Sequence, residues 1–450
     1  MLTHYRNVSG IVRWMGISIA ILTLVLALNS DVKAQLYNNQ RAVGGISCDA
    51  NGLIGSAQPD DQGNLAKYLK QSLQAIPADL KNPIPLERIS LRRLEVAIEK
   101  HGDKLPDEIK YLGGLQQIRY IFVYPEQKDI VLVGPAEGWK VDNKGYIVGI
   151  TTGRPVLLLD DLLVALRTAR QAADGGISCS IDPTPEGLTR LRAATSRMRT
   201  VGNPQQRAAQ IVNALGKQKI TLAGVPTTSH FARVLVAADY RMKRLGMGLE
   251  KSPIDGLPSY PAMMKGGNQG MLPRWWLEPN YKPILHSADG LAWELRDAGV
   301  KVMTEEDRLS AGGKVQRGGK ASPLAQKWAD NMTAKFSELA VAEPIFGQMR
   351  NCMELAIVSA LIVKEQLPHK AGYSMPTLLN PADVKTETFN APKQIDSQVN
   401  VLKKGRTWVF ATGGVLINSW VIADRAKESD APASIRAKAV PGTNGNWRWN

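Results

Sequence analysis

The chain has 450 residues, 44% hydrophobic and 22% charged, with a net charge of +15 at neutral pH. Its hydrophobic content excludes a disordered polymer, and its length allows two or three globular domains. Spread over so many residues, the basic excess is a mild bias toward anionic surfaces, so nucleic acid is not expected as a partner.

The first segment reads as an export signal. Arg6 and Arg13 give a positive start, and residues 14–28 are apolar with only Ser18 and Thr23 as mild interruptions. As a helix this run covers about 22 Å, short of the roughly 30 Å hydrocarbon core of a bilayer. Asn29-Ser30-Asp31 follow, then Val32-Lys33-Ala34, whose −3 and −1 residues suit signal peptidase. Residues 1–34 are therefore expected to be a signal peptide, cut between Ala34 and Gln35; the alternative is an anchor formed by an uncleaved N-terminal helix. No cysteine near the cut offers a lipid attachment point, and no twin arginine precedes the apolar run. The expected location is the periplasm or cell exterior, with no stable transmembrane span after processing. Loss of Arg6, Arg13, Lys33 and Asp31 leaves about +13.

Residues 35–85 are expected as an N-terminal segment and linker, with one helix at 65–76. Residues 86–172 read as an α/β domain. Ser90 caps a helix with Leu91, Leu94, Ala97 and Ile98 on one face. Pro106-Asp107-Glu108 starts another, which Gly113-Gly114 ends. Strands at 118–124 and 130–133, a hairpin at 140–147 and a helix capped by Asp160 complete the unit. A hairpin at 47–54 shares its Asp-x-x-Gly tip with 142–145. Asx turns account for both, since the ligands of a calcium loop are absent.

Residues 173–247 read as a second α/β domain. A strand at 177–181 leads to a helix start at Asp182-Pro183, with Leu188, Leu191, Thr195 and Met198 on one stripe. Arg190, Arg192, Arg197 and Arg199 border that stripe, either snorkelling around a core contact or facing an anionic lipid surface. Asn203 to Gly216 is a helix, 220–225 a strand, and Ser229 caps a helix through Leu245. Residues 248–274 form a long loop.

Residues 275–370 are expected to hold β-hairpins, with four short strands at 274–277, 282–285, 291–295 and 300–303, then buried helices. The Gly/Lys/Arg-rich stretch 311–320 is expected to be mobile. It fails as a phosphate loop, because Gly319 stands where the lysine should be. Ser322-Pro323 starts one helix and Pro344 another, apolar nearly all round at 355–363 and so a core helix. Residues 371–450 read as an extended C-terminal region with strands at 407–411 and 415–422 and a loose tail ending Trp447-Arg448-Trp449. The fold class is α+β: several small mixed α/β units with hairpin-rich sheets and a C-terminal helical core.

Of the three cysteines, Cys352 reads as a buried thiol. Cys48 and Cys179 end the matching pentapeptides Gly44-Gly45-Ile46-Ser47-Cys48 and Gly175-Gly176-Ile177-Ser178-Cys179. An exported protein can keep a disulfide between them; two reduced cysteines in similar buried strands is the other reading.

No GxSxG, HExxH, SxxK set or Rossmann fingerprint occurs, and no metal or cofactor motif is found. The candidates for a general base are His230 and His286. Asp239 lies nine residues beyond His230, half a helical turn off, so these two cannot form a dyad. His286 and Asp289 share a hairpin, where a polar cluster or a solvated turn is possible. Trp275, Trp276, Tyr281 and Trp293 fall close together, and such rings can stack on sugars or clamp a peptide. Adjacent strand residues point to opposite faces, so one exposed tryptophan is expected and the rest in the core.

Several runs resemble a family of exported planctomycete proteins known only as a domain of unknown function. They are Arg119-Tyr120-Ile121-Phe122-Val123-Tyr124-Pro125-Glu126-Gln127, Gly134-Pro135-Ala136-Glu137-Gly138-Trp139, Thr152-Gly153-Arg154-Pro155-Val156, and residues 177–187 and 232–243. The resemblance spans roughly 86–370; it implies an envelope setting and carries over no catalytic residue. The expected role is non-catalytic binding or scaffolding, with an envelope polymer or peptide as partner. The alternatives are a secreted hydrolase with His230 or His286 as base, and a basic protein adhering to anionic envelope surfaces. Export predicts that protein recovered from cells begins at Gln35 on N-terminal sequencing; an intact Met1 on a cytosolic product would remove it.

Overall fold

Polar and apolar residues alternate along strands such as 177–183 and 217–223, which gives each of these one face for the core and one for solvent, whereas 120–124 and 129–136 are buried on both faces. The computed structural model describes residues 42–56, 64–196, 203–264, 270–309, 315–319, 321–402, 407–439 and 446–449. The leader, with Ala34 and Gln35, lies outside the described residues, as do Arg197 and Arg199.

The strands are, in order, β1 (Ile46–Cys48), β2 (Leu53–Ser56), β3 (Ile84–Ser90), β4 (Tyr120–Tyr124), β5 (Asp129–Ala136), β6 (Trp139–Val141), β7 (Ile147–Gly149), β8 (Ile177–Pro183) and β9 (Lys217–Ala223). There follow β10 (Gly270–Met271), β11 (Pro273–His286), β12 (Ala292–Leu309), β13 (Val315–Gly319), β14 (Gln394–Asp396), β15 (Asn400–Val401), β16 (Trp408–Val409), β17 (Thr412–Ile417) and β18 (Lys427–Glu428). Thirteen of them form one mixed sheet along the path β1-β2-β14-β9-β8-β17-β11-β12-β4-β5-β3, with β13 beside β12 and β18 beside β11. The protein is α+β. Segments 86–172, 173–247, 275–370 and 371–450, expected as separate units, all contribute strands to this one sheet.

Helix starts follow local chemistry. The side chains of Ser90, Asn203, Ser229 and Ser322 accept backbone N–H groups at the starts of the helices Leu91–His101, Pro204–Leu215, His230–Met247 and Pro323–Ala342. Two expected caps are corrected. The helix Leu159–Thr168 begins before Asp160, which instead accepts the N–H of Glu387. Asp182-Pro183 stays in β8, and Thr184 Oγ1 caps the helix Pro185–Ser196 by accepting Gly187 N. Asp49 and Asp142 make the expected Asx turns, each carboxylate accepting backbone N–H groups two and four residues on.

The four short strands expected between 274 and 303 are two long ones. β11 and β12 pair continuously apart from register shifts near Lys282. Bulges there interrupt the sequence pattern while the ladder carries on. Within 311–320, Val315–Gly319 is a strand on β12, not a mobile segment; 310–314 and 320 lie outside the described residues. Residues 419–423, expected as strand, are a short helix.

The main core lies on one face of the sheet, and a smaller cluster of Phe122, Tyr124, Val131 and Trp449 covers the opposite face at β4 and β5. In the main core the helix Pro344–Lys364 packs against the helices Leu159–Thr168, His230–Met247, Pro323–Ala342 and Ser419–Ala423. It is long and apolar enough to cross a membrane, but 94% of its most apolar window is buried inside the protein. Arg190 reaches across to the carbonyls of Ala214 and Leu215, capping the neighbouring helix end.

Cys48 and Cys179 are not bridged; all three cysteines are free and buried. β1 and β8 are four strand positions apart in the sheet, about 19 Å at the usual spacing, far beyond the reach of a disulfide. The similar pentapeptides are two similar strands.

The C-terminal tail is not loose. Ser90 N donates to Trp447 O and Trp449 N to Arg88 O, so the tail pairs with the sheet's edge strand β3. The Arg448 side chain, 2% exposed, bonds to Glu87, Glu108 and Asp79 at 3.2, 2.9 and 2.5 Å. Burial pushes Glu87 up and Arg448 pulls it back. Removing one partner of a buried ion cluster leaves an uncompensated charge. Arg448→Ala should therefore cost about 3–5 kcal/mol in urea unfolding, and Arg448→Met with Glu87→Leu should restore much of it.

Candidate functional site

The other face of the sheet holds a cleft of about 550 Å³ over the middle of β17, within the range of small-ligand sites. Its floor is set by Gly413 and Gly414. A Cβ on Gly413 would stand 1.7 Å from Trp275 O, and one on Gly414 1.8 Å from Cys179 O. Only glycine lets β17 lie this close to β8 and β11. Register then dictates which side chains rise around the floor. One row across the sheet is Thr221, Ser180, Gly414, Trp276, Met303. The glycine leaves a gap of two strand spacings, roughly 10 Å, between the Ser180 hydroxyl and the Trp276 indole.

The next row is charged. Lys219 is opposite Asp182 on β9 and β8, while Thr412, Arg274 and Glu305 lie side by side on β17, β11 and β12. Asp182 and Arg274 approach to 3.9 Å, and Asp182 Oδ1 accepts Gly413 N. The signs alternate, so the row nearly neutralises itself. Trp276 is held by its own strand: Nε1 donates to Glu278 Oε1 at 2.6 Å, and Glu278 pairs with Lys301 at 3.3 Å. The ring is thereby fixed before any ligand arrives.

Beneath the floor, on the helical side, the Lys243 ammonium donates to Ile181 O, Gly413 O and Asp239 Oδ2 at 2.8, 3.0 and 2.9 Å. It ties the helix His230–Met247 to both β8 and β17. Burial pushes Asp239 up against the pull of Lys243.

The four expected aromatic residues do not share a groove. Trp275 is fully buried against Trp328, ring centroids 4.1 Å apart, and Tyr260. Tyr281 turns to the helical side and donates to Glu354 Oε2. Trp293 is buried, donates to Gly290 O and stacks on His286 at 4.9 Å. Trp276 alone of the four lines the cleft, as the adjacency of 275 and 276 required. The polar residues every second position in Ser178-Cys179-Ser180-Ile181-Asp182 were the missed signal for an open face. The close pairing that makes Gly413-Gly414 a floor could not be read locally.

His286 and Asp289 serve the hairpin tip. His286 Nδ1 donates to Ser287 O, and Asp289 accepts from Ser287 Oγ and Leu291 N. His230 lies elsewhere, its Nδ1 donating to both carboxylate oxygens of Asp161 at 3.0 Å. The buried thiol of Cys352 also leans on Asp161, and burial raises it well above its ordinary value. A nucleophile would need to sit on the histidine rather than on its carboxylate. Part of the long loop is anchored: Glu250 is held by Arg241 and Arg244, and Tyr260 N donates to Gly246 O.

A family described as "Protein of unknown function (DUF1598)" matches residues 179–260. The match covers the β8–β9 wall of the cleft and the helix that carries His230, Asp239 and Lys243. No curated protein and no solved structure matches the chain.

Burial opposes the charge on His230, but Asp161 outweighs it through charge and hydrogen bond, aided by Asp160 and Glu387, so the pKa rises above 6.5. The charged pair therefore stabilises the fold fully below about pH 6.5 and is lost as pH climbs through the raised value. His230→Gln should cost most at pH 5.5 and progressively less toward pH 9 in urea unfolding.

Proposed function

We propose that this chain is a non-catalytic binding protein of the periplasm or cell exterior, which lodges one sugar ring of an envelope polymer against Trp276. The supporting observation is the gap over Gly414, with a pinned indole on one side and the hydroxyls of Ser180 and Thr221 on the other. A sugar has an apolar C–H face that suits an aromatic ring and an edge of hydroxyls that suits polar side chains. The self-neutralising row beside the gap offers both donors and acceptors without a strong net charge, which fits a neutral hydroxylated ligand. A peptide would gain most by pairing with a free sheet edge, whereas this cleft sits over a strand paired on both sides. Pre-fixing the ring lowers the entropy lost on binding.

The hydrolase alternative is less well supported, because His230 and His286 lie outside the cleft and spend Nδ1 on local partners. Calorimetry with soluble peptidoglycan fragments and with dextran tests the reading. Trp276→Ala should weaken binding about tenfold, about 1.4 kcal/mol, while Trp293→Phe leaves it unchanged. Absence of binding to either glycan, or an unaffected Trp276→Ala, would sink the proposal.

A further inference from the structure

Arg350 lies in the first half of the core helix Pro344–Lys364 with 5% of its surface exposed. Among the described residues, no carboxylate comes within ion-pair reach of its guanidinium and no acceptor takes a hydrogen bond from it. Buried arginines are almost always paired, because an uncompensated charge in the interior is costly.

A second arginine is brought to the same place. Glu137 accepts hydrogen bonds from Thr151 N, Thr152 N, Thr152 Oγ1 and Gln116 Nε2, at 2.5–2.9 Å, and so locks the turn that leads into Arg154-Pro155. Burial works against the Glu137 charge, yet these donors hold its pKa at about 2. Asn351 Nδ2 then donates to Pro155 O and Val156 O at 3.0 and 3.2 Å, which seats the turn on the helix one residue from Arg350. Gly347 makes room for the Pro155 ring: a Cβ there would stand 2.8 Å from Pro155 Cδ. Arg154 is half-buried and, among the described residues, has no carboxylate within ion-pair distance. Burial first, and then the Arg154 charge, push Arg350 below its ordinary pKa.

The nearest acid is already committed. Glu354, one turn along the same helix, accepts Ile118 N at 2.5 Å and the Tyr281 hydroxyl at 3.3 Å. Burial pushes it up to about 7 against the pull of the Ile118 N–H, the Arg350 and Arg154 charges and the Tyr281 hydroxyl, so one buried carboxyl faces two guanidinium groups. Two guanidinium groups thus face a region with a deficit of negative charge, and their flat forks match oxyanions.

We propose that Arg154 and Arg350 form a binding site for a small oxyanion, a phosphoryl, sulfuryl or carboxylate group, entering from the Arg154 side. The site is on the helical side of the sheet and does not depend on the cleft at Trp276. Inorganic phosphate, sulfate and acetate serve as probes, titrated at constant ionic strength against sodium chloride by calorimetry and thermal melting. Wild type should bind at least one of them and melt higher in its presence. Arg154→Gln, at the half-exposed position, should fold normally and bind that anion at least tenfold more weakly, while Trp276→Ala should bind it as wild type does. A preference for phosphate or sulfate assigns a tetrahedral group, and a preference for acetate a carboxylate. Silence from all three anions in wild type, or equal affinity in wild type and Arg154→Gln, overturns the proposal.

Discussion

Everything on the open face depends on the insertion of β17 between β8 and β11. On one side of it lie strands from residues 46–56, 177–223 and 394–396; on the other lie strands from 84–136 and 273–309. β17 joins these two halves, antiparallel to β8 and parallel to β11. Both contacts are so close that Gly413 and Gly414 have no space for a Cβ. The same absence of side chains opens the cleft above. Packing and site are here one constraint: the residues that let the sheet close are those that leave a hollow on it. Lys243 reinforces the arrangement from below, since its ammonium bonds both to β17 at Gly413 and to β8 at Ile181.

Buried polar groups fix the irregular parts of this molecule in a consistent way. A carboxylate collects the donors of a nearby turn or tail, and the turn is thereby held against the regular elements. Glu137 does this for Thr151 and Thr152, Asp161 for His230, and Glu87 for Arg448 at the end of the chain. Such groups are worth little as isolated pairs but are costly to leave half-satisfied, so they specify one geometry more than they add stability. Arg350 departs from this pattern, since among the described residues no carboxylate lies within ion-pair reach of its guanidinium.

The aromatic residues show how tertiary context sorts a cluster that looks uniform in sequence. Trp275 and Trp276 are neighbours, yet one is sealed against Trp328 and the other lines the cleft. Strand alternation foretold that split. Tyr281 keeps the parity of Trp275 and so shares its face, but the place of Trp293 could not be foretold, because register shifts near Lys282 lie between it and Trp276. His286 and Asp289 fell into a solvated hairpin tip, and His230 found a partner sixty-nine residues away. Candidate sites drawn from proximity in sequence were therefore legible only where a single strand carried them.

The sequence by itself determined the elements whose causes are local. Ser90, Asn203, Ser229 and Ser322 announce their helices because a cap needs only a side-chain oxygen and the next turn's N–H groups. The Asx turns at Asp49 and Asp142 and the core character of the Pro344–Lys364 helix were legible for the same reason. The tertiary structure alone decided strand order, which collects segments hundreds of residues apart into one sheet. It also placed Cys48 and Cys179 four strands apart and drew Trp447-Arg448-Trp449 onto the edge at β3. Pairing of this kind rests on hydrogen bonds between backbone groups that every residue carries alike. No composition or periodicity records which strand will be the neighbour, and so neither the glycine floor nor the two-arginine site could be assembled until the chain was folded.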